Sequence, residues 1–93
     1  MFPDLHPFSY AEITVSTDVV SLSVPAGAVF ATIQFGNGNV NYRVDGGDPS
    51  DTLGLPALDG DQMPLWFQSL SQFRAIRSGG ADGLLRVTFH RKR

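Results

Sequence analysis

The 93-residue sequence contains no cysteine, which excludes both a disulfide framework and a thiolate metal site. No apolar run approaches the roughly 18 residues that a membrane-spanning helix needs. Residues 1–4 lack the basic start and following apolar stretch of a signal peptide, so we expect synthesis in a cytoplasm. A domain this short buries only about 60–65% of the surface that its unfolded chain exposes. Close packing, or association with other chains, must therefore supply its stability.

Residues that could carry chemistry are also sparse. His6 and His90 are the only histidines and lie far apart in the sequence, and no nucleophile-elbow motif is present. A sandwich this small rarely offers the cleft that a catalytic carboxylate pair requires. Gly36 and Gly38 form a Gly-x-Gly between two predicted strands, which is not the setting of a phosphate-binding loop. We therefore expect no enzyme activity and no cofactor.

Five aspartates lie in one glycine- and proline-rich segment, at positions 45, 48, 51, 59 and 61. Carboxylate oxygens suit calcium, but this spacing matches no EF-hand, and aspartate also shapes turns. The turn-forming interpretation is favoured, and binding of a cation or glycan by the 45–61 loop stays open. The embedded Leu53, Leu55, Ala57 and Leu58 predict that the loop packs against the domain.

Charge is distributed unevenly along the chain. Residues 1–61 contain eight acidic side chains against Arg43 alone, whereas residues 62–93 contain six basic side chains against Asp82. Such asymmetry indicates a charged tail or complementary faces. The basic end of the sequence, His90 to Arg93, predicts a solvated tail or a contact with an acidic protein surface. The acidic overall balance argues against nucleic acid as a partner.

Hydrophobic residues alternate with polar ones over much of the chain, at residues 12–16, 20–24 and 84–90. This period of two predicts half-buried strands. Further strands are expected at residues 63–67, where Pro64 indicates an edge or a strand start, and at residues 73–77. The sequence thus predicts an all-β fold: a single small antiparallel β-sandwich, or a jelly-roll-like barrel, of about seven strands. We expect a domain over residues 10–90, an extended arm over residues 1–9 and a basic tail over residues 91–93.

A hairpin is the most prominent local prediction. Residues 28–35 and 40–44 are apolar runs on either side of a turn, and Asn37-Gly38 suits a two-residue type I′ turn. This arrangement would set Phe35 opposite Val40, Ile33 opposite Tyr42 and Ala31 opposite Val44.

Large aromatic residues predict an interaction surface. Neighbours in a strand point to opposite faces, so Trp66 and Phe67 cannot both enter one core, and one of them should face a second sheet or a partner. Phe30 also opposes the main face of the predicted hairpin. Together with the arm and the tail, these residues give a predicted protein interface of Phe2, Pro3, Leu5, Phe8, Phe30, Trp66, Arg91, Lys92 and Arg93.

Residues 41–50, with the sequence Asn-Tyr-Arg-Val-Asp-Gly-Gly-Asp-Pro-Ser, and the following Gly54 form a recognisable pattern. An aromatic-Arg-x-Asp-Gly strand end precedes a Pro-Ser turn and a glycine. This pattern, with the later segments 70–77 and 84–89, resembles small bacteriophage virion proteins of the head decoration-like β type. The likeness spans residues 28–90. It implies a compact β domain of the phage particle.

The same Tyr-x-x-Asp-Gly-x-x-Pro pattern also resembles the β-sandwich modules found beside chitobiase-type glycosidases. Those modules are appended to large enzymes, whereas this chain is expected to stand alone. The first resemblance implies a capsid decoration or cement protein on the virion surface, homo-oligomeric and bound to the major capsid protein. The alternative is a tail- or fibre-associated receptor- or glycan-binding module, and a third is a regulatory or inhibitory protein outside the virion.

Overall fold

The computed structural model describes residues 5–92, of which 55% lie in strands and 7% in helix. The predicted all-β class is confirmed. Within this range the elements are Leu5–Val15 (β1), Val20–Ser21 (β2), Ala28–Gly36 (β3), Val40–Arg43 (β4), Leu55–Ala57 (β5), Gln62–Trp66 (β6), Phe67–Gln72 (α1), Arg74–Arg77 (β7) and Gly83–Lys92 (β8). None of the helix in residues 5–92 is long and apolar enough to cross a membrane.

The strands form two antiparallel sheets of four. Sheet A has the order β1-β8-β3-β6 and sheet B the order β2-β7-β4-β5, and the two sheets do not close into a barrel. The described chain has eight strands, against about seven predicted, and two of them are only two and three residues long. Its accessible surface, 5374 Å², is close to the roughly 5,300 Å² expected for a compact monomer of this mass. The fold therefore needs no partner to bury its core.

Alternation along the strands builds the core between the sheets. In β8, Leu85, Val87 and Phe89 point inwards and are fully buried, while the side chains between them are partly exposed. Phe35 from sheet A stacks on Tyr42 from sheet B at 5.7 Å, and Tyr42 stacks on Phe73 at 5.8 Å between ring centroids. Burying each such ring contributes roughly 1.5–3 kcal/mol. The aromatic stack thus joins the two layers.

The predicted hairpin is wrong. β3 and β4 lie in different sheets: Phe35 pairs with Leu85, whereas Val40 pairs with Ala57 and Arg77. Asn37 has a positive φ of 70°, but Gly38 does not, so the type I′ turn is not formed. The 36–39 turn instead carries the chain from one sheet to the other.

The chain also differs from the prediction at its two ends. Residues 5–9 belong to β1, where Leu5 pairs with Lys92 and His6 with Arg91, so this part of the predicted arm is a sheet strand. Arg91 and Lys92 likewise end β8 and do not form a free tail. Residues 1–4 and Arg93 lie outside the described residues.

Proline positions the outer strand of sheet A. β6 is an edge strand, as Pro64 predicted, because proline cannot donate a hydrogen bond to a second neighbour.

The strand ends at Trp66 and α1 begins at Phe67, so the strict alternation of side chains stops between these two residues. Leu70 is the residue that α1 buries in the core.

Candidate functional site

The predicted interface residues that the structure describes gather at one end of sheet A. Strand register brings the start of β1, the end of β8, the start of β3 and the end of β6 side by side. We call this region the aromatic-basic end and define it by Phe8, Trp66, Phe67, Arg91 and Lys92. Phe2, Pro3 and Arg93 of the predicted interface lie outside the described residues.

An aromatic row crosses the sheet at this end. Phe30 pairs with Trp66 on one side and with His90 on the other. The ring centroids are 4.3 Å apart for Phe30 and Trp66, and 5.3 Å apart for Phe30 and His90. Phe30 is 6% exposed, so it supports its neighbours and offers little area to a partner, whereas Trp66 is 46% exposed.

Basic side chains complete the aromatic-basic end. The Arg91 guanidinium lies over the Phe8 ring, 5.2 Å from its centroid, which is within cation–π range. Phe8 sits where the register of β1 shifts against β8, and its ring packs against the core. Leu5 is half-buried beside Lys92, and both Arg91 and Lys92 are exposed. The end therefore presents cations next to aromatic rings.

Phe67 is also part of this surface. One of Trp66 and Phe67 was expected to enter the core, but both are exposed. Phe67 is 66% exposed because it begins α1, where the strand alternation no longer applies. Exposed tryptophan, phenylalanine and arginine are enriched among residues that dominate protein–protein affinity. The arrangement is thus suited to burial against a partner surface.

Three of the five loop aspartates accept hydrogen bonds that shape turns. Asp45 accepts a 3.0 Å hydrogen bond from Arg43 Nε and a 3.1 Å bond from the Gly47 amide. The Arg43 guanidinium, followed by that amide, lowers the pKa of Asp45 below its ordinary value. Asp59 accepts from the Asn37 amide and Asp61 from the Leu58 amide. Among residues 5–92, no three His, Cys, Asp or Glu side chains are grouped as metal ligands would be.

The 45–54 part of the loop lies on the outer face of sheet B. Asn41 is buried beneath it and donates a 3.0 Å hydrogen bond from Nδ2 to the Ser50 carbonyl, and Pro49 is buried as well. The prediction that the loop residues pack against the domain is confirmed for Ala57, which is 2% exposed, but wrong for Leu58, at 55%, and for Leu53 and Leu55, at 56% and 52%. Leu53 and Leu55 line an open groove of about 470 Å³, which we call the leucine groove.

Comparison with known proteins found nothing similar: no protein-family model, no curated protein and no solved structure matches this chain.

Proposed function

We propose that the protein is a bacteriophage structural protein, a capsid decoration or cement protein that stabilises the head by binding the major capsid protein. The aromatic-basic end is the observation that carries this proposal, because it gathers exposed aromatic and cationic side chains at one end of sheet A. The sequence pattern of residues 41–50 and Gly54, which we interpret as similar to head decoration-like proteins, favours the same role.

We further propose that the sandwich is a jelly roll. The strand orders β1-β8-β3-β6 and β2-β7-β4-β5 support this, since consecutive strands alternate between the sheets except at β4 and β5. Jelly rolls build viral capsid and lectin domains. That association is one of architecture and leaves the role to be argued from the surface.

In this proposal the aromatic-basic end binds the outer surface of the major capsid protein. Burying the exposed parts of Trp66 and Phe67 would remove on the order of 200 Å² of largely apolar surface, worth about 5 kcal/mol before the entropy of association is subtracted. Arg91 and Lys92 would pair with capsid carboxylates and speed the encounter. No catalytic step, membrane or nucleic acid enters this role.

Contacts between sister copies would use the edge of sheet B. The leucine groove opens beside β5, a three-residue edge strand that contains Pro56. A short edge with proline is poorly suited to pairing with a further strand. We therefore expect copies to associate through side chains at the leucine groove, forming a homo-oligomer on the outer capsid surface.

A binding assay tests the proposal. Capsids stripped of the protein are mixed with purified wild-type or variant protein and sedimented. Phe67→Ala, or Arg91→Glu together with Lys92→Glu, should reduce the bound fraction about tenfold or more. Tyr10→Ala removes a comparably exposed aromatic ring that lies away from this end, and this variant should bind like wild type. Equal binding by all variants, or no binding by wild type, would refute the capsid role.

The alternative is a tail- or fibre-associated module that binds a receptor or glycan. A polar groove on the outer face of sheet A favours it. Copy number separates the two: a decoration protein is present in amounts comparable to the major capsid protein, whereas a tail module is present in a few copies per particle.

A further inference from the structure

The broad outer face of sheet A carries a groove of about 290 Å³ that the proposed capsid contact does not use. We propose that this groove binds a neutral oligosaccharide. The inference does not rest on the capsid role, because the groove lies on the face of the sheet and the aromatic-basic end lies at the end of its strands.

A polar row crosses all four strands of sheet A on its outer face. Register places four outward side chains in line from β6 to β1: Gln62, Gln34, Arg86 and Glu12. Two planar amides, a guanidinium and a carboxylate thus follow one another at the spacing of adjacent strands, about 4.8 Å. The amides both donate and accept hydrogen bonds, the guanidinium donates and the carboxylate accepts, so the row can pair with the hydroxyl groups of a sugar.

The adjacent row of side chains supplies two hydroxyls and an aromatic ring. Thr32 pairs with Thr88, and Thr88 pairs with Tyr10. Tyr10 is 57% exposed, and its hydroxyl donates a 2.7 Å hydrogen bond to Glu12 Oε2, which anchors the ring beside the polar row. An exposed ring next to hydrogen-bonding groups suits a ligand with an apolar C–H face and polar edges. A sugar ring has this combination.

The charges around the groove favour a neutral ligand over an anionic one. Arg86 Nε lies 4.0 Å from Glu12 Oε2. Gly36 lies close to Arg86 and Asp59: a Cβ at this position would lie 3.0 Å from Arg86 Nη1 and 3.8 Å from Asp59 Oδ1. Arg86, the cation that lines the groove, thus has the Glu12 carboxylate beside it and the Asp59 carboxylate near Gly36, and this negative charge disfavours phosphate, sulfate or sialic acid. The guanidinium remains available as a donor to a neutral hydroxyl.

Size limits the ligand to a short segment. The groove is at the lower end of the roughly 300–1,000 Å³ range of small-molecule sites, which suits one or two sugar rings. Trp66 projects from the same face on β6, and the strands that carry Tyr10 and Trp66 are about 14 Å apart across the sheet. A trisaccharide lying obliquely across the face would reach from Tyr10 towards Trp66, the one residue that the two proposals share.

The test is titration of ¹⁵N-labelled protein with cellotriose, maltotriose, chitotriose and mannotriose at millimolar concentration, with sialyllactose as the charged comparison. We expect at least one neutral trisaccharide to shift the amide signals of β3 and β8. Tyr10→Ala should weaken that binding about tenfold or more, whereas Tyr10→Phe, which keeps the ring, should stay within about threefold of wild type. Phe67→Ala should leave it unchanged, the reverse of its effect on capsid binding.

Circular dichroism and thermal melting of each variant confirm that the fold is intact, which is expected because Tyr10 and Phe67 are exposed. Three results would overturn the inference: no shift with any neutral trisaccharide, binding of sialyllactose alone, or unchanged binding by a folded Tyr10→Ala variant. None of these would affect sedimentation with capsids, so the two proposals fail separately.

Discussion

Gly38 provides a sharp test of how the two sheets are joined. A Cβ at this position would lie 2.5 Å from the Ala81 carbonyl oxygen and 2.9 Å from that of Asp82. Both are backbone atoms, and ordinary contacts begin near 3.4 Å, so the 36–39 turn must move away from the turn that precedes β8. We expect Gly38→Ala to lower the free energy of unfolding by about 1–3 kcal/mol, the usual cost of overpacking.

The matched control lies in the facing turn. Gly80 has no heavy atom within 4 Å of its Cβ position and no positive φ. Gly80→Ala should therefore be neutral or stabilising by up to about 1 kcal/mol, since it restricts the unfolded chain. Urea denaturation followed by circular dichroism measures both. In a thermal melt the Tm of the Gly38 variant should fall by about 4–24 °C.

The reasoning would be refuted if Gly38→Ala unfolded within about 0.5 kcal/mol of wild type, or if Gly80→Ala were destabilised as much. Either result would mean that the two turns do not approach each other as closely as described. The β3–β4 connection between the sheets would then need revision.

Three further predictions concern the core, the loop and pH. Phe73→Ala should lower the free energy of unfolding by about 3–5 kcal/mol in urea denaturation, because the Phe73 ring is fully buried. Phe67→Ala, at an exposed position, should change it by less than about 0.5 kcal/mol. Equal losses would contradict the burial of Phe73. Asn41→Ala should release the loop over sheet B and speed its cleavage by proteases, and unchanged cleavage would argue against the anchoring bond. Arg43 lowers the pKa of Asp45 in the folded protein. The charged Asp45 therefore stabilises the fold fully above the pKa of the unfolded chain, near 4. This stabilisation is lost as pH falls through the folded-state pKa. Asp45→Asn should therefore be less stable than wild type at pH 7, with the difference shrinking at pH 3 in urea denaturation; a constant difference would show that the charge is not involved.

Much of the fold follows from local pattern. Alternation in residues 84–90 predicted β8, because a strand with one face in the core must alternate. Pro64 predicted an edge, because it lacks the donor that an interior strand needs. The aspartates were expected to shape turns, and Asp45, Asp59 and Asp61 do so through backbone amides.

The error in the hairpin prediction could not be detected from the sequence, because it depends on which strands compete to pair with β3. Locally, Asn37-Gly38 and the flanking apolar runs satisfy every rule for a two-residue turn. In the structure β3 pairs with β8 and β6, strands from the far end of the chain, and this leaves no place for β4 beside it. A single sequence contains no signal for which distant strand pairs best.

The aromatic-basic end was anticipated in part from the sequence. Trp66, Arg91 and Lys92 were chosen for residue type, and long-range register brings them to one end. Phe30 was expected to be available, but Trp66 and His90 cover it. The groove on sheet A was missed because its residues come from four separate strands and only their register aligns them.

The capsid role is tested most directly by cryo-electron microscopy of intact particles that contain this protein. The account predicts density for a two-sheet sandwich on the outer capsid surface, in numbers comparable to the major capsid protein. The end that carries Trp66, Phe67, Arg91 and Lys92 should face the shell. Particles that lack this density, or that hold the protein in a few copies at the tail, would contradict the account.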